Sequence, residues 1–291
     1  MTSEPLEIRN LRFDLAGVPR YWHGGRRSVT LFLNNLSLFF PPGERFFIQS
    51  VKAQACRVED EKLLRDIKLF SGQEGVHSRE HVAYNRMIES QGYPAQALEK
   101  RVERILRFAA RVLPGSSQLA VTCALEHFTA LMAELLLADE RLLEGAHPAM
   151  AALWRWHAAE ENEHKAVAFD VYQTIRGSYV VRAHTMFVVT LVFWALVVAQ
   201  QVRLMSVDGC LFSFKEWAAL VRFLFVEPGG MGRIVRPYLS YYRPGFHPWD
   251  HDNQALLDAW KAELGRSPIY ESAIRASVSK SAGLRLAEAT H

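Results

Sequence analysis

The sequence predicts an all-α protein organised as a helical bundle, and three observations carry that expectation. Apolar residues recur every three to four positions through most of the chain, and no long stretch shows the period-two alternation of a half-buried strand. Proline and glycine fall between the helical stretches, at Pro41, Pro42 and Gly43, at Gly92 and Pro94, at Pro114 and Gly115, and at Pro148, where they stop one helix or start the next. A Glu-x-x-His pair occurs twice, as Glu74 with His77 and Glu161 with His164, each placing a carboxylate and an imidazole on one stripe of a helix.

A length of 291 residues and a hydrophobic fraction of 49% allow a substantial core. The net charge of +3 left by 34 basic and 31 acidic side chains gives no case for a nucleic-acid surface. Cys56, Cys123 and Cys210 lie far apart without a CxxC pair, so neither a disulfide framework nor a zinc ribbon is expected and a reducing cytoplasm is the natural compartment. The first residues lack an apolar run behind a basic start, so no secretory signal is expected.

Residues 1–27 read as an irregular lead-in packed across the surface of the domain. An apolar run from Val29 to Phe40 follows, and Pro41-Pro42-Gly43 then opens the next helix, with Glu44 expected in its first turn. A long helical period from Asp60 to Gln91 carries Glu74, His77 and His81 on one face. Ala95 to Val112 reads as an amphipathic, highly charged connecting or covering helix. Pro114 starts a helix to Ala138 dominated by Ala, Leu and Met, in which Glu126 is poorly placed as a solvated residue. After a polar connection at 139–147, Pro148 starts a helix read as continuing to Ile175. Residues 28–177 thus form the bundle, 178–265 an apolar and aromatic extension, and 266–291 a flexible tail.

Within the extension, Ala183 to Val202 has no formally charged residue between Arg182 and Arg203 and just reaches the length needed to span a bilayer. A buried helix, a homodimer interface and attachment to the inner face of the membrane are all open for it. Phe214 to Val226 contains Lys215, Glu216 and Arg222 and fits a buried or interfacial amphipathic helix.

Collected, Glu44, Glu74 with His77, Glu126, and Glu161 with His164 fall on four successive bundle helices. Carboxylates can bridge two cations while imidazoles supply nitrogen donors, whereas four buried carboxylates without a cation would repel one another and lose solvation. This order of ligands resembles the ferritin-like di-metal carboxylate proteins. His157, four residues before Glu161, makes the last helix His-x-x-x-Glu-x-x-His, which resembles the di-iron arylamine N-oxygenases and implies an additional donor to one iron. The stretches FPPGERFFIQSV, GQEGVHSREH, ALEHFTA and LWRWHAAEENEHKAVAFDVY also resemble, over nearly the full chain, a bacterial family labelled predicted metal-dependent hydrolase.

Each residue also has an ordinary reading. Glu44 could complement a helix N-terminus, and Glu74 with His77 could be an exposed pair. Glu160 reads as an outer partner, or as a replacement for Glu161 were the helix rotated, Glu163 turns away from the stripe and reads as solvated or as an outer partner, His81 as a ligand or outer partner, and His127 as an outer partner or core residue. The leading expectation is an enzyme that uses two iron ions, or manganese or a manganese–iron pair, to activate O₂ against a small organic substrate, which the apolar segments suggest is hydrophobic. An electron-donor protein is implied because no GxGxxG fingerprint is present. The alternative is a hydrolase, with zinc and a metal-activated water; a non-catalytic metal-binding or membrane-associated protein is the third reading.

Overall fold

The computed structural model describes residues 6–288, with side chains as far as residue 279; the first five residues of the lead-in and the last three of the expected tail lie outside the described residues. Twelve α-helices follow in order: α1 (Arg27–Ser37), α2 (Phe40–Lys52), α3 (Glu61–Ser90), α4 (Ala95–Val112), α5 (Gly115–Ala138), α6 (Pro148–His164), α7 (Val167–Thr174), α8 (Tyr179–Val207), α9 (Phe214–Phe225), α10 (Met231–Ser240), α11 (Gln254–Leu264) and α12 (Pro268–Glu288). The described residues contain no strand, and an isolated bridge pairs His23 with Ala146. The fold is an all-α bundle.

Four helices make its centre. α2 packs along α3, α5 along α6, and contacts of α2 with α5 and α3 with α6 close the square. α3 is 30 residues long, about 45 Å at 1.5 Å per residue. Its N-terminus is capped by the Asp60 carboxylate, which accepts from the Lys62 N–H at 2.8 Å, and it stops at Gly92, whose φ of +92° suits a residue without a Cβ. α8 covers α5 and α1, and α4 covers α2.

Several elements depart from the sequence expectation. α2 begins at Phe40, just ahead of the prolines, so Glu44 lies past the first turn and faces inward with no exposure. The helix read as running from Pro148 to Ile175 is interrupted after His164, where the buried Lys165 ammonium donates to the His251 carbonyl at 2.7 Å and to Asn253 Oδ1 at 2.9 Å. The lead-in is built into the core rather than laid over it. Leu11 and Trp22 are 1% exposed, and Trp22 Nε1 donates to Asn34 Oδ1 at 2.9 Å. The segment read as a flexible tail starts a helix at Pro268, and the buried Tyr270 hydroxyl donates to the Ala152 carbonyl of α6 at 3.0 Å.

α8 is longer than its uncharged stretch and takes in Arg182, which is buried and donates to the carbonyls of Tyr241 at 2.7 Å and Arg243 at 2.8 Å. The guanidinium also faces the rings of Phe169, Tyr241 and Phe246, so one side of this helix belongs to the protein interior.

Candidate metal centre

The four central helices bring seven sequence-predicted residues together: Glu44 from α2, Glu74 and His77 from α3, Glu126 from α5, and His157, Glu161 and His164 from α6. None is more than 3% exposed. Their donor atoms sort into two groups, Glu44 with His77 and His157, and Glu74 with Glu161 and His164; within each, the atoms lie within 4.8 Å of one another. Glu126 joins the second group, with Oε2 3.6 Å from His164 Nε2. Glu161 links the two, since its Oε1 lies 2.9 Å from His157 Nε2, 3.6 Å from His77 Nδ1 and 3.7 Å from His164 Nε2.

Whether these residues fit metal ions can be tested on their own hydrogen bonding. Buried polar atoms are nearly always paired. Here both carboxylate oxygens of Glu44, Glu74 and Glu126, Glu161 Oε2, His77 Nδ1 and His164 Nε2 are buried without a hydrogen-bond partner. These orphaned atoms belong to the residues of the two groups and to Glu126. Oxygen and nitrogen donors concentrated in this way match what divalent iron, manganese or zinc requires. The dipole reading of Glu44 and the surface reading of Glu74 with His77 both fail, because all three are wholly buried.

Electrostatics agree. Burial, followed by the neighbouring Glu74 and Glu161, pushes the Glu44 and Glu126 carboxyls well above the ordinary range, and burial raises Glu74 as well. Burial, followed by His157, pushes His77 well below the usual imidazole value. His164 and Glu161 go the other way: burial opposes their ionisation, but the Glu74 contact raises His164 and the His157 contact lowers Glu161. Without a cation the site cannot hold all its carboxylates ionised. Two divalent ions would remove that conflict.

The family model described as predicted metal-dependent hydrolase matches residues 7–252. The chain belongs to that family. No curated protein and no solved structure matches it. The family's description names the hydrolytic alternative rather than oxygen activation, and the match spans both the bundle and most of the apolar extension.

In this family member an outer layer of side chains orients the imidazoles, as ligating histidines ordinarily require. His77 Nε2 donates to Glu160 Oε2 at 2.8 Å, which leaves Nδ1 aimed inward. His164 Nδ1 donates to Gln73 Oε1 at 3.0 Å. His157 Nδ1 lies 2.7 Å from His81 Nε2, whose Nδ1 is 2.8 Å from Ser37 Oγ; that hydroxyl donates to Asn85 Oδ1 at 2.7 Å. With His157 Nε2 on a metal, the protons of this row all point the same way, from His157 through His81 and Ser37 to Asn85.

Behind the first two sits Arg9, which reaches Glu160 at 3.2 Å and holds Glu163 through two bonds at 2.7 and 2.9 Å. Burial pushes Glu160 up to about 8 against the pull of that guanidinium. Glu163, read from the sequence as solvated or an outer partner, is buried and also accepts from Gln73 Nε2 at 3.1 Å. His127 stands away from the ligands, its ring 5.0 Å from that of Tyr241 and 5.2 Å from that of Phe246. Arg9 and Gln73 were not singled out in the sequence. Gln73 adjoins Glu74, but nothing local marks Arg9.

An apolar cavity of about 80 Å³ ends on the site, with His157 and Glu161 among its walls and Phe32, Leu36, Met132 and Trp154 around them. Phe40 closes over the histidines, its ring 4.4 Å from His157 and 4.5 Å from His81.

Proposed function

We propose that the chain is a two-metal enzyme that activates O₂ to oxidise an apolar organic substrate. Glu44, His77 and His157 would hold one ion and Glu74, Glu126 and His164 the other, with Glu161 between them. The order single Glu, Glu-x-x-His, single Glu, Glu-x-x-His on four helices supports reading the bundle as ferritin-like. The observation that carries the proposal is a set of orphaned buried donors meeting an apolar cavity at Glu161 and His157. O₂ and hydrocarbon groups can enter such a cavity without stranding polar atoms, whereas a hydrolytic substrate must bring a polar scissile bond and water into it.

When bound, the ions would supply electrons to O₂ in this reading, or an acidified water in the hydrolytic one. Overall, R–H, O₂, two electrons and two protons give R–OH and water, the electrons coming from a separate donor protein. The chain's own part is to fix the imidazoles through Glu160, Gln73 and His81, to keep bulk water out with Phe40 and Trp154, and to present the substrate to the Glu161 side of the site.

Hydrolysis is the second reading, favoured by the family's description. One experiment separates them. Protein loaded anaerobically with ferrous iron is mixed with O₂ while oxygen and absorbance are followed, and zinc-loaded protein is assayed without O₂ on a series of acyl esters. Oxygen uptake with an absorbance transient supports the first reading. Ester turnover with no oxygen uptake replaces it with the second.

A further inference from the structure

A second, larger apolar cavity of about 350 Å³ lies between α2, α4, α5 and α8, within the size range of small-molecule sites. Leu36, Phe40, Thr129 and Met132 line both this cavity and the one that ends on Glu161 and His157, so the two cavities share a wall. At its other end the large cavity is lined by Phe108, Val112, Val188 and Val192, which are 66%, 53%, 42% and 42% exposed. The large cavity thus lies between that shared wall and an apolar patch of surface.

That patch is part of a longer stripe. Phe187, Val188, Leu191, Val192, Ala195 and Val198 are exposed at helical spacing along α8. α5 and α8 are both apolar enough to cross a membrane, but the most apolar part of α5 is 67% buried and that of α8 only 28%. α8 does not span. Its inner side is tied to the protein by Arg182, by Gln201 Nε2 donating to the Ser28 carbonyl at 3.2 Å and by Gln200 Nε2 donating to the Leu98 carbonyl at 3.4 Å. A helix with one face fixed and one apolar face free lies in the plane of an interface.

We propose that this face rests on a lipid bilayer and that the substrate is a linear hydrocarbon chain drawn from it through the large cavity to Glu161 and His157. Charge selects the occupant. Arg104, Arg107 and Arg111 are exposed on α4 around Phe108 and Val112, with Glu103 the one acid between Lys100 and Val112, which suits anionic headgroups. A symmetric pairing of two copies on this face would set the same guanidiniums on both sides of one interface. The identity of the substrate rests on the two-metal reading above; the bilayer contact and the chain-binding cavity do not.

The test uses the full chain, with and without metal. Wild-type protein is expected to sediment with phosphatidylcholine–phosphatidylglycerol vesicles more than with phosphatidylcholine alone, and to bind the linear polyene cis-parinaric acid with a rise in its fluorescence. Phe187→Glu with Leu191→Glu, both on the outer face, removes sedimentation and leaves parinarate binding. Ala109→Phe, which fills the large cavity, keeps sedimentation and lowers parinarate affinity about tenfold, roughly 1.4 kcal/mol. No sedimentation of wild-type protein overturns the bilayer contact, as does a dimer that the double glutamate variant dissociates. Parinarate affinity unchanged by Ala109→Phe overturns the path. Because these are binding readouts repeated on metal-depleted protein, a failure of the two-metal reading, seen as no bound metal, leaves them standing.

Discussion

His157 Nε2 lies 2.9 Å from Glu161 Oε1, one turn further along the same helix, and that oxygen is also within 3.7 Å of nitrogens on His77 and His164. One carboxylate thus touches every imidazole of the centre. Glu161→Ala is expected to reduce bound metal from two ions per chain to one or fewer, measured by plasma emission on dialysed protein. The rise in Tm on adding metal, worth about 2.7 kcal/mol at a hundredfold excess over Kd, should fall with it. Two retained ions would show that Glu161 is not a ligand.

Glu126 separates the metal-free state from the loaded one. In the absence of metal its carboxyl is buried without a partner and burial holds it toward the neutral form. Glu126→Gln, which is neutral at every pH, should therefore raise the stability of metal-free protein by about 1–2 kcal/mol at neutral pH and lower the further gain on adding metal. Urea titrations with and without metal read both effects, and a loss in the metal-free protein would contradict the account.

His81 would act on a bound metal through its contact with His157. His81→Phe removes the nitrogen 2.7 Å from His157 Nδ1 and should weaken one metal site by about 10- to 100-fold, with helicity unchanged. Competition with a chelator measures this; equal loss at both sites would point to a packing defect instead.

Arg9 has a structural consequence of its own. Arg9→Met leaves Glu160 buried without its cation and Glu163 with Lys261 alone, 3.5 Å away, and should destabilise the fold by about 3–5 kcal/mol, and adding Glu163→Gln should restore part of that loss. Additive losses in a double-mutant cycle would deny the coupling.

His23 predicts acid sensitivity away from the metal site. Its Nε2 donates to the Leu142 carbonyl at 2.7 Å, Nδ1 has no partner, and burial lowers its pKa to about 4. A folded-state pKa below the unfolded value of about 6.5 means the stabilisation is complete above that value and is lost as pH falls towards 4, by at most about 3 kcal/mol. His23→Gln, which keeps a donor but cannot titrate, should show a shallower fall in Tm between neutral pH and pH of about 5. An identical slope would reject the assignment.

The clustering of buried carboxylates and imidazoles was legible in the sequence because helical spacing alone puts Glu74 with His77, and Glu161 with His164, on shared stripes, and because Glu126 had no water-facing side to turn to. Of the layer behind them, His81 and Glu160 could be read as outer partners, whereas Arg9, Gln73 and the pairing of Glu163 could not. Glu160 and Glu163 point away from the ligand stripe of α6, which looks solvent-facing until the lead-in and α11 cover it; Trp260 of α11 stacks on the Arg9 guanidinium at 5.2 Å. Their partner lies 151 and 154 residues away in the chain, beyond any local pattern. Glu44 was identified with its turn misplaced, because prolines mark a helix start only to within a residue or two.

Arg9 also orders events in time. It leaves the ribosome well ahead of its carboxylate partners and Trp260, so its segment can take this seat only once α6 and α11 have been made. The back of the centre is thus closed by a segment that must wait for partners 151 and 154 residues further along the chain.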